Sequence, residues 1–340
     1  MREALFIKKN MEKWTKFQKE LPADANETAE QFVVLIDDLS YAKTFYPRSK
    51  VTEWINGLAA KIYQSIYQNK KEKYSRFFDF WKYELPLLFR QYHRVFLFTS
   101  VLFISFMLIG VFSSIHNPDF IRGVLGERYV HMTEQNIADG DPFGVYKDSN
   151  PFSMFVRIAF NNIRVAFLSF ISGLTLGIFT LKILWSNGIM VGSFQYLFFA
   201  HDLGWKSVMV IWIHGTIEIS SIIIAATAGF VLAKGILFPK TFTRYHSFKM
   251  HAKDALKILL SLIPFFVIAA FFESYLTHRM STTFDSSAAS GMPVWVSALI
   301  LFFSLLLILW YFVFWPIYLH KNGIQSRKGN VVNQITPADA

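Results

Sequence analysis

Two hydrophobic regimes divide this chain. Up to about residue 94 the apolar positions recur at helical spacing among charged ones; beyond it they merge into long runs. In EALFIKKNMEKWTKF, Leu5, Phe6, Trp14 and Phe17 mark one face of a first helix, which Leu21-Pro22 ends. Asp24 or Asn26 is placed to cap a second helix, with Phe32, Val33, Leu35, Ile36 and Leu39 on its buried side and an end before Pro47. Ser49 then caps a third, carrying Val51, Trp54, Ile55, Leu58 and Ile62. Three such helices pack as a small bundle over residues 1–69, either shielding one another or offering a face to a partner. Residues 70–94 mix Tyr74, Phe77, Phe78, Phe80, Trp81 and Tyr83 with Lys and Arg. That mixture favours the lipid headgroup layer and predicts an interfacial amphipathic elbow helix, bent near Pro86.

The long runs predict about six membrane spans, since a spanning helix needs about 20 mostly apolar residues. They cover roughly 95–115, 160–183, 188–202, 207–233, 258–275 and 294–318. The third is short, and 184–233 as a re-entrant hairpin is the alternative. The fold class is therefore all-α: a polytopic helical membrane protein with an N-terminal helical bundle and an elbow. Residues 95–319 form the transmembrane domain, with an outer loop at 116–159, and 320–340 form a tail. Gly, Pro, Asn and Asp in NIADGDPFGVYKDSNP mark turns within that loop.

Composition supports the bilayer as a partner: 53% of residues are apolar and Phe occurs 37 times. The net charge of +10 suggests nucleic acid only until its distribution is read. Lys and Arg number 17 before Val95, six between Lys234 and Lys257, and three after His320, whereas residues 116–159 hold six acids and four bases. Basic blocks alternating with apolar runs place both termini and the 234–257 linker in the cytoplasm, and no nucleic acid is expected. There is no cysteine, which excludes disulfides and thiolate chemistry. MREALFIKKN has no long apolar core, so the first span is expected to serve as the insertion signal.

Polar residues inside the runs are the candidate chemistry. His214 and Glu218, in HGTIE, lie four apart on one helix face within an apolar segment. Ionisable groups at such depth are costly and mark function by default. Near the start of the second run, NNIRVA supplies Asn161, Asn162 and Arg164. Counted from the expected span starts, Arg164 lies about 6 Å deep, His214 about 10 Å and Glu218 about 16 Å, so Arg164 suits the His better than the Glu. A polar cluster of His214, Glu218, Arg164, Asn161, Asn162 and Gln195 is expected, with Ser221 one turn beyond Glu218. A clamp fixing helix register, a transport or proton-relay site, and a metal or catalytic site all fit it. Metal chemistry needs more ligands than this pattern shows: zinc proteases use His-Glu-x-x-His with a third ligand, and Glu273 reads as an acid near a span end. No metal, cofactor or catalytic residue is therefore assigned. Gly173, Gly177, Gly188, Gly192 and Gly215 are expected to let helices approach closely or to serve a homo-oligomer contact.

In order, NNIRVAFLSFISG, NGIMVG and HGTIEISSIIIAATAG resemble the stage II sporulation protein M family, a resemblance covering roughly residues 95–320. It implies a multi-pass protein of the bacterial inner membrane that is not an enzyme. The founding member belongs to a complex with two peptidoglycan-degrading proteins and helps recruit them during engulfment; other members are often encoded near AAA-type ATPases. The long N-terminus departs from the founding type, so the sporulation role does not carry over intact. The expected function is a scaffold that positions envelope partners such as peptidoglycan hydrolases outside, with a cytoplasmic ATPase as a further partner. The alternative is a permease-like transporter subunit for a lipid or cell-wall precursor.

Overall fold

The computed structural model describes residues 2–19, 25–67, 75–144, 150–284, 293–327 and 330–333. The chain divides into two units, Met1–Tyr74 and Ser75–Ala340.

The first unit holds α1 (Glu3–Lys19), α2 (Ala25–Phe45) and α3 (Lys50–Tyr67). Its core joins Phe6 and Trp14 of α1 with Leu35, Leu39 and Ala42 of α2 and Ile55, Leu58 and Ile62 of α3. Trp14 is fully buried and donates its indole N–H to Asp38 at 2.7 Å, which Lys13 also pairs. Ser49 starts α3 as expected, its Oγ accepting from the Val51 N–H at 3.2 Å. Leu5, Val33 and Ile36 were expected on the buried side but are exposed, at 56%, 60% and 37%. Each stands beside a residue that does enter the core, so the apolar stripe is narrower than the run of apolar letters. The cap at Asp24 lies outside the described residues.

The second unit opens with α4 (Ser75–Asp79), a π-helical turn (Phe80–Glu84) and α5 (Leu85–Gln91). Proline explains the turn. Pro86 has no N–H to give the Lys82 carbonyl, and the Leu85 N–H reaches back to Phe80 instead of Trp81. Both bypassed carbonyls are taken by the far end of the chain: Tyr311 Oη donates to Trp81 O at 2.6 Å, and Trp315 Nε1 to Lys82 O at 2.8 Å. Near Pro86 the helix is rewound rather than broken. The break falls at Tyr92 (φ −105°, ψ 16°), whose hydroxyl donates to Asp254 at 2.8 Å.

Next come α6 (His93–His116), α7 (Pro118–Leu125), α8 (Glu127–Ala138), α9 (Pro151–Ile171), α10 (Ile178–Phe199) and α11 (Gly204–Leu237). After them follow α12 (Arg244–Ser261), α13 (Ile263–Phe271), a second π segment (Phe272–Thr277), α14 (His278–Ser281), α15 (Val294–Leu309), a third π segment (Trp310–Phe314) and α16 (Trp315–Lys321). A two-stranded antiparallel hairpin, Ile324–Arg327 with Asn330–Asn333, is the one addition to an otherwise all-α fold among the described residues.

This is a membrane protein. Among the described residues, five helical stretches are long and apolar enough to cross a bilayer: His93–His116, Pro151–Thr175, Gly204–Leu237, Arg244–Phe284 and Val294–Lys321. The expected third span falls within a helix that is not among these five stretches. That helix is α10, unbroken over 22 residues and about 33 Å long. Lys182, Asn187 and Gln195 make it less apolar than the others. The expected second span ran too far because the letters stay apolar from Phe160 to Ile183. The chain turns inside that run, at Leu176 (φ 58°) and Gly177 (φ 86°), the latter in a backbone region open to glycine. Helix α11 is the central one: 72% of its most apolar stretch is buried, against 17% for α6.

Close backbone approach builds the packing around it. A Cβ on Gly173 would lie 2.2 Å from the Gly229 carbonyl oxygen, and one on Gly192 2.1 Å from that of Met107. A Cβ on Gly188 would lie 2.8 Å from the Phe106 Cβ and 3.1 Å from the Phe103 carbonyl oxygen, so α10 seats on α6 through Gly188 and Gly192. Gly215 is different: a Cβ there meets nothing within 4 Å. It was expected to pack helices and instead borders a cavity, because it faces the polar side of α11.

The segment expected to be an irregular outer loop is largely folded. Helices α7 and α8 are tied by Arg122, which pairs with Glu127 at 2.6 Å and Glu134 at 2.8 Å. Helix α9 reclaims nine residues from that loop. Asn150 caps it, accepting from the N–H of Phe152 at 2.9 Å, and Pro151 occupies its first turn.

Candidate functional site

A cavity of about 610 Å³ opens where α9, α10, α11, the Phe272–Thr277 segment and α7–α8 converge. Its polar lining is Arg157, Asn161 and Asn162 from α9, Gln195 from α10, His214 and Glu218 from α11, Glu273, and Tyr129 from α8. The apolar walls include Ile158, Val191, Phe194 and Ile211.

His214 is the pivot. It is 4% exposed, with Nδ1 hydrogen bonded to the fully buried Thr277 Oγ1 at 2.9 Å. Its Nε2 lies 3.8 Å from Glu273 Oε2. Ligand atoms of His214, Glu218 and Glu273 all lie within 4.8 Å of one another. Glu273 and Thr277, four apart on one helix face, reach the two nitrogens of one imidazole, and the segment that carries them is π-wound, a deviation frequent at functional sites. Asn162 is 5% exposed and turned to the Glu218 carboxylate, yet its Nδ2 has no hydrogen bond of ordinary geometry. Gln195 is held in place: its Nε2 donates to Ser207 Oγ at 2.7 Å, and its Oε1 accepts from the Trp212 indole at 2.8 Å. Outside the spans, burial and then the Glu273 charge push the Tyr129 phenol up to about 12.

The structure thus brings together His214, Glu218, Asn161, Asn162 and Gln195. Arg164 stands apart: it is exposed and does not line the cavity. Its expected place belongs to Arg157, seven residues and nearly two turns earlier on roughly the same face of α9. The error follows from starting that helix at residue 160 instead of Pro151. Ser221 is also absent, its hydroxyl bonded back to Ile217 O at 2.8 Å. Glu273 is the residue sequence reasoning passed over. Its signal was present: an acid inside the fifth run, at the end that also meets the His214 end of α11.

Comparison with known proteins gives this constellation a context. A family model described as Stage II sporulation protein M matches residues 99–278, 180 of the 340 residues and all of the cavity lining. The chain belongs to the stage II sporulation protein M family. A second model, a domain of unknown function (DUF8413), matches residues 4–68 and so coincides with the first unit. This stage II sporulation protein M family member is similar to an uncharacterized protein, MJ0793, of Methanocaldococcus jannaschii. The two are 33% identical over 130 residues, covering 38% of this chain and 73% of the relative. Family membership alone therefore does not confine the chain to bacteria. No solved structure matches it.

Proposed function

We propose that this protein is a non-enzymatic membrane scaffold that positions envelope-remodelling partners, peptidoglycan hydrolases among them, at the bacterial inner membrane. The observation that carries the proposal is modularity. A three-helix unit with its own aromatic core, matched to its own domain family, is joined in one chain to a membrane unit of a different family. The three-helix unit also leaves Leu5, Val33 and Phe45 exposed, apolar surface of the kind protein partners cover. On the strength of the basic blocks we take the three-helix unit and the C-terminus as cytoplasmic, with an AAA-type ATPase as the partner class there and α7 and α8 outside. The test is native co-purification in mild detergent. The full chain should retain partners, a chain lacking Met1–Tyr74 should lose the cytoplasmic ones, and replacement of residues 116–150 should release the outer ones. Retention of no partner by the full chain would remove the proposal.

The cavity favours a second reading, a permease-like subunit. Arg157, His214, Glu218 and Glu273 around about 610 Å³ suit a polar cargo such as a lipid or cell-wall precursor headgroup. Purified protein in liposomes should then move such a substrate, and Glu218→Gln should stop the flux.

A further inference from the structure

We propose that His214, Glu218 and Glu273 form a binding site for a divalent transition-metal ion, zinc foremost, with an open coordination position facing the cavity. The inference goes beyond the scaffold reading, which needs no metal. Four observations carry it. The donor set is one imidazole and two carboxylates, which suits zinc and its first-row neighbours; magnesium and calcium take all-oxygen shells. The geometry is close to what an ion needs. Zinc bonds of about 2.1 Å in a tetrahedron hold ligand atoms roughly 3.4 Å apart. The His214–Glu273 pair is already at 3.8 Å, and no pair of the three exceeds 4.8 Å, a gap that small side-chain rotations close.

The support around the imidazole is that of a ligand. Its Nδ1 is fixed by Thr277 inside a fully buried contact, which orients Nε2 toward the carboxylates; metal-bound histidines are held by such an outer partner. Finally, Asn162 points independently to a ligand. Its Nδ2 is buried on the cavity wall, turned to Glu218 but with no hydrogen bond of ordinary geometry. A water or anion bound to the ion at the open position would accept from that amide. Electrostatics is compatible with it, because two carboxylates this close in an apolar slab repel unless a proton or a cation is shared between them, and the ion would take the second role. Arg157 is a cation already on the cavity wall, near enough for its charge to act on Glu273.

The experiment uses full-length protein in detergent or nanodiscs, stripped with chelator and then dialysed against Zn²⁺. Elemental analysis should find about one zinc per chain. His214→Gln and Glu273→Gln should each weaken binding at least ten-fold, and Arg157→Gln should strengthen it by removing a competing charge. Should the ligand variants fail to fold, the wild-type protein with Co²⁺ still decides: a four-coordinate nitrogen–oxygen site gives intense visible absorption that Zn²⁺ displaces at one equivalent. No stoichiometric uptake by the wild type, equal uptake by a folded His214→Gln/Glu218→Gln/Glu273→Gln triple variant, or Co²⁺ spectra no different from the free ion would overturn the proposal.

Discussion

Two glycines on neighbouring helices should respond oppositely to the same methyl group. At Gly192 a Cβ lands 2.1 Å from the Met107 carbonyl oxygen and 3.0 Å from the Val111 nitrogen. Ordinary contact begins at 3.4 Å, so α10 and α6 would have to separate by about 1.3 Å along that line. Backbone cannot rotate out of the way as a side chain does, and Gly110, pressed against the Ile189 carbonyl in the same seam, would lose its fit as well. Overpacking of this kind costs about 1–3 kcal/mol. At Gly215 no atom lies within 4 Å, and α11 continues for many residues on either side. There the methyl group meets no obstacle and removes the helix-interior penalty of glycine, about 0.5–1 kcal/mol. Gly192→Ala should therefore lower stability by about 2 kcal/mol, close to thirty-fold in the unfolding equilibrium, while Gly215→Ala leaves it unchanged or raises it. Reversible unfolding in mixed micelles, followed by tryptophan fluorescence, measures both. Equal destabilisation by the two variants would refute the assignment of Gly188 and Gly192 to the seam and of Gly215 to the cavity.

Other predictions are local. Tyr311→Phe and Trp315→Phe each strand an elbow carbonyl, costing about 1–2 kcal/mol; hydrogen exchange across residues 75–91 should speed up in both. Asn162→Leu deletes an amide that lacks a hydrogen bond, so stability should hold or rise by about 1 kcal/mol while zinc affinity falls; a loss above about 2 kcal/mol would show that Glu218 holds the amide firmly. The Tyr129 phenol is raised to about 12 from an ordinary 10.0, so the folded state favours its protonated form. Its contribution is complete below pH 10 and is lost as pH climbs towards 12. An alkaline stability titration should flatten in that window on Tyr129→Phe.

The helical plan was legible because apolar runs long enough for a bilayer have few other uses. What the runs hid was a turn. Leu176 and Gly177 reverse the chain inside continuous apolar sequence, and the glycine read as a packing residue while its backbone made the corner. Helix starts were legible at Asn150-Pro151, a cap followed by a proline, but the polar stretch before it drew the signal into the loop. That missed start moved Arg164 into the cluster and Arg157 out of it. The His214–Glu218 pair stood out on spacing alone. Glu273 did not, because its approach to His214 depends on two spans meeting at one depth, which leaves no periodic mark.

The latch on the elbow also carries a timetable. It joins residues 230 and 233 positions apart. A ribosome working at roughly 5–20 residues per second needs on the order of 10–50 s to go from one partner to the other. Through that interval the Trp81 and Lys82 carbonyls wait in the nascent chain for donors not yet made. A product broken off before residue 311 keeps its earliest membrane-proximal helix unlatched. The finished elbow therefore closes only after the segment around residues 311–315 has been made.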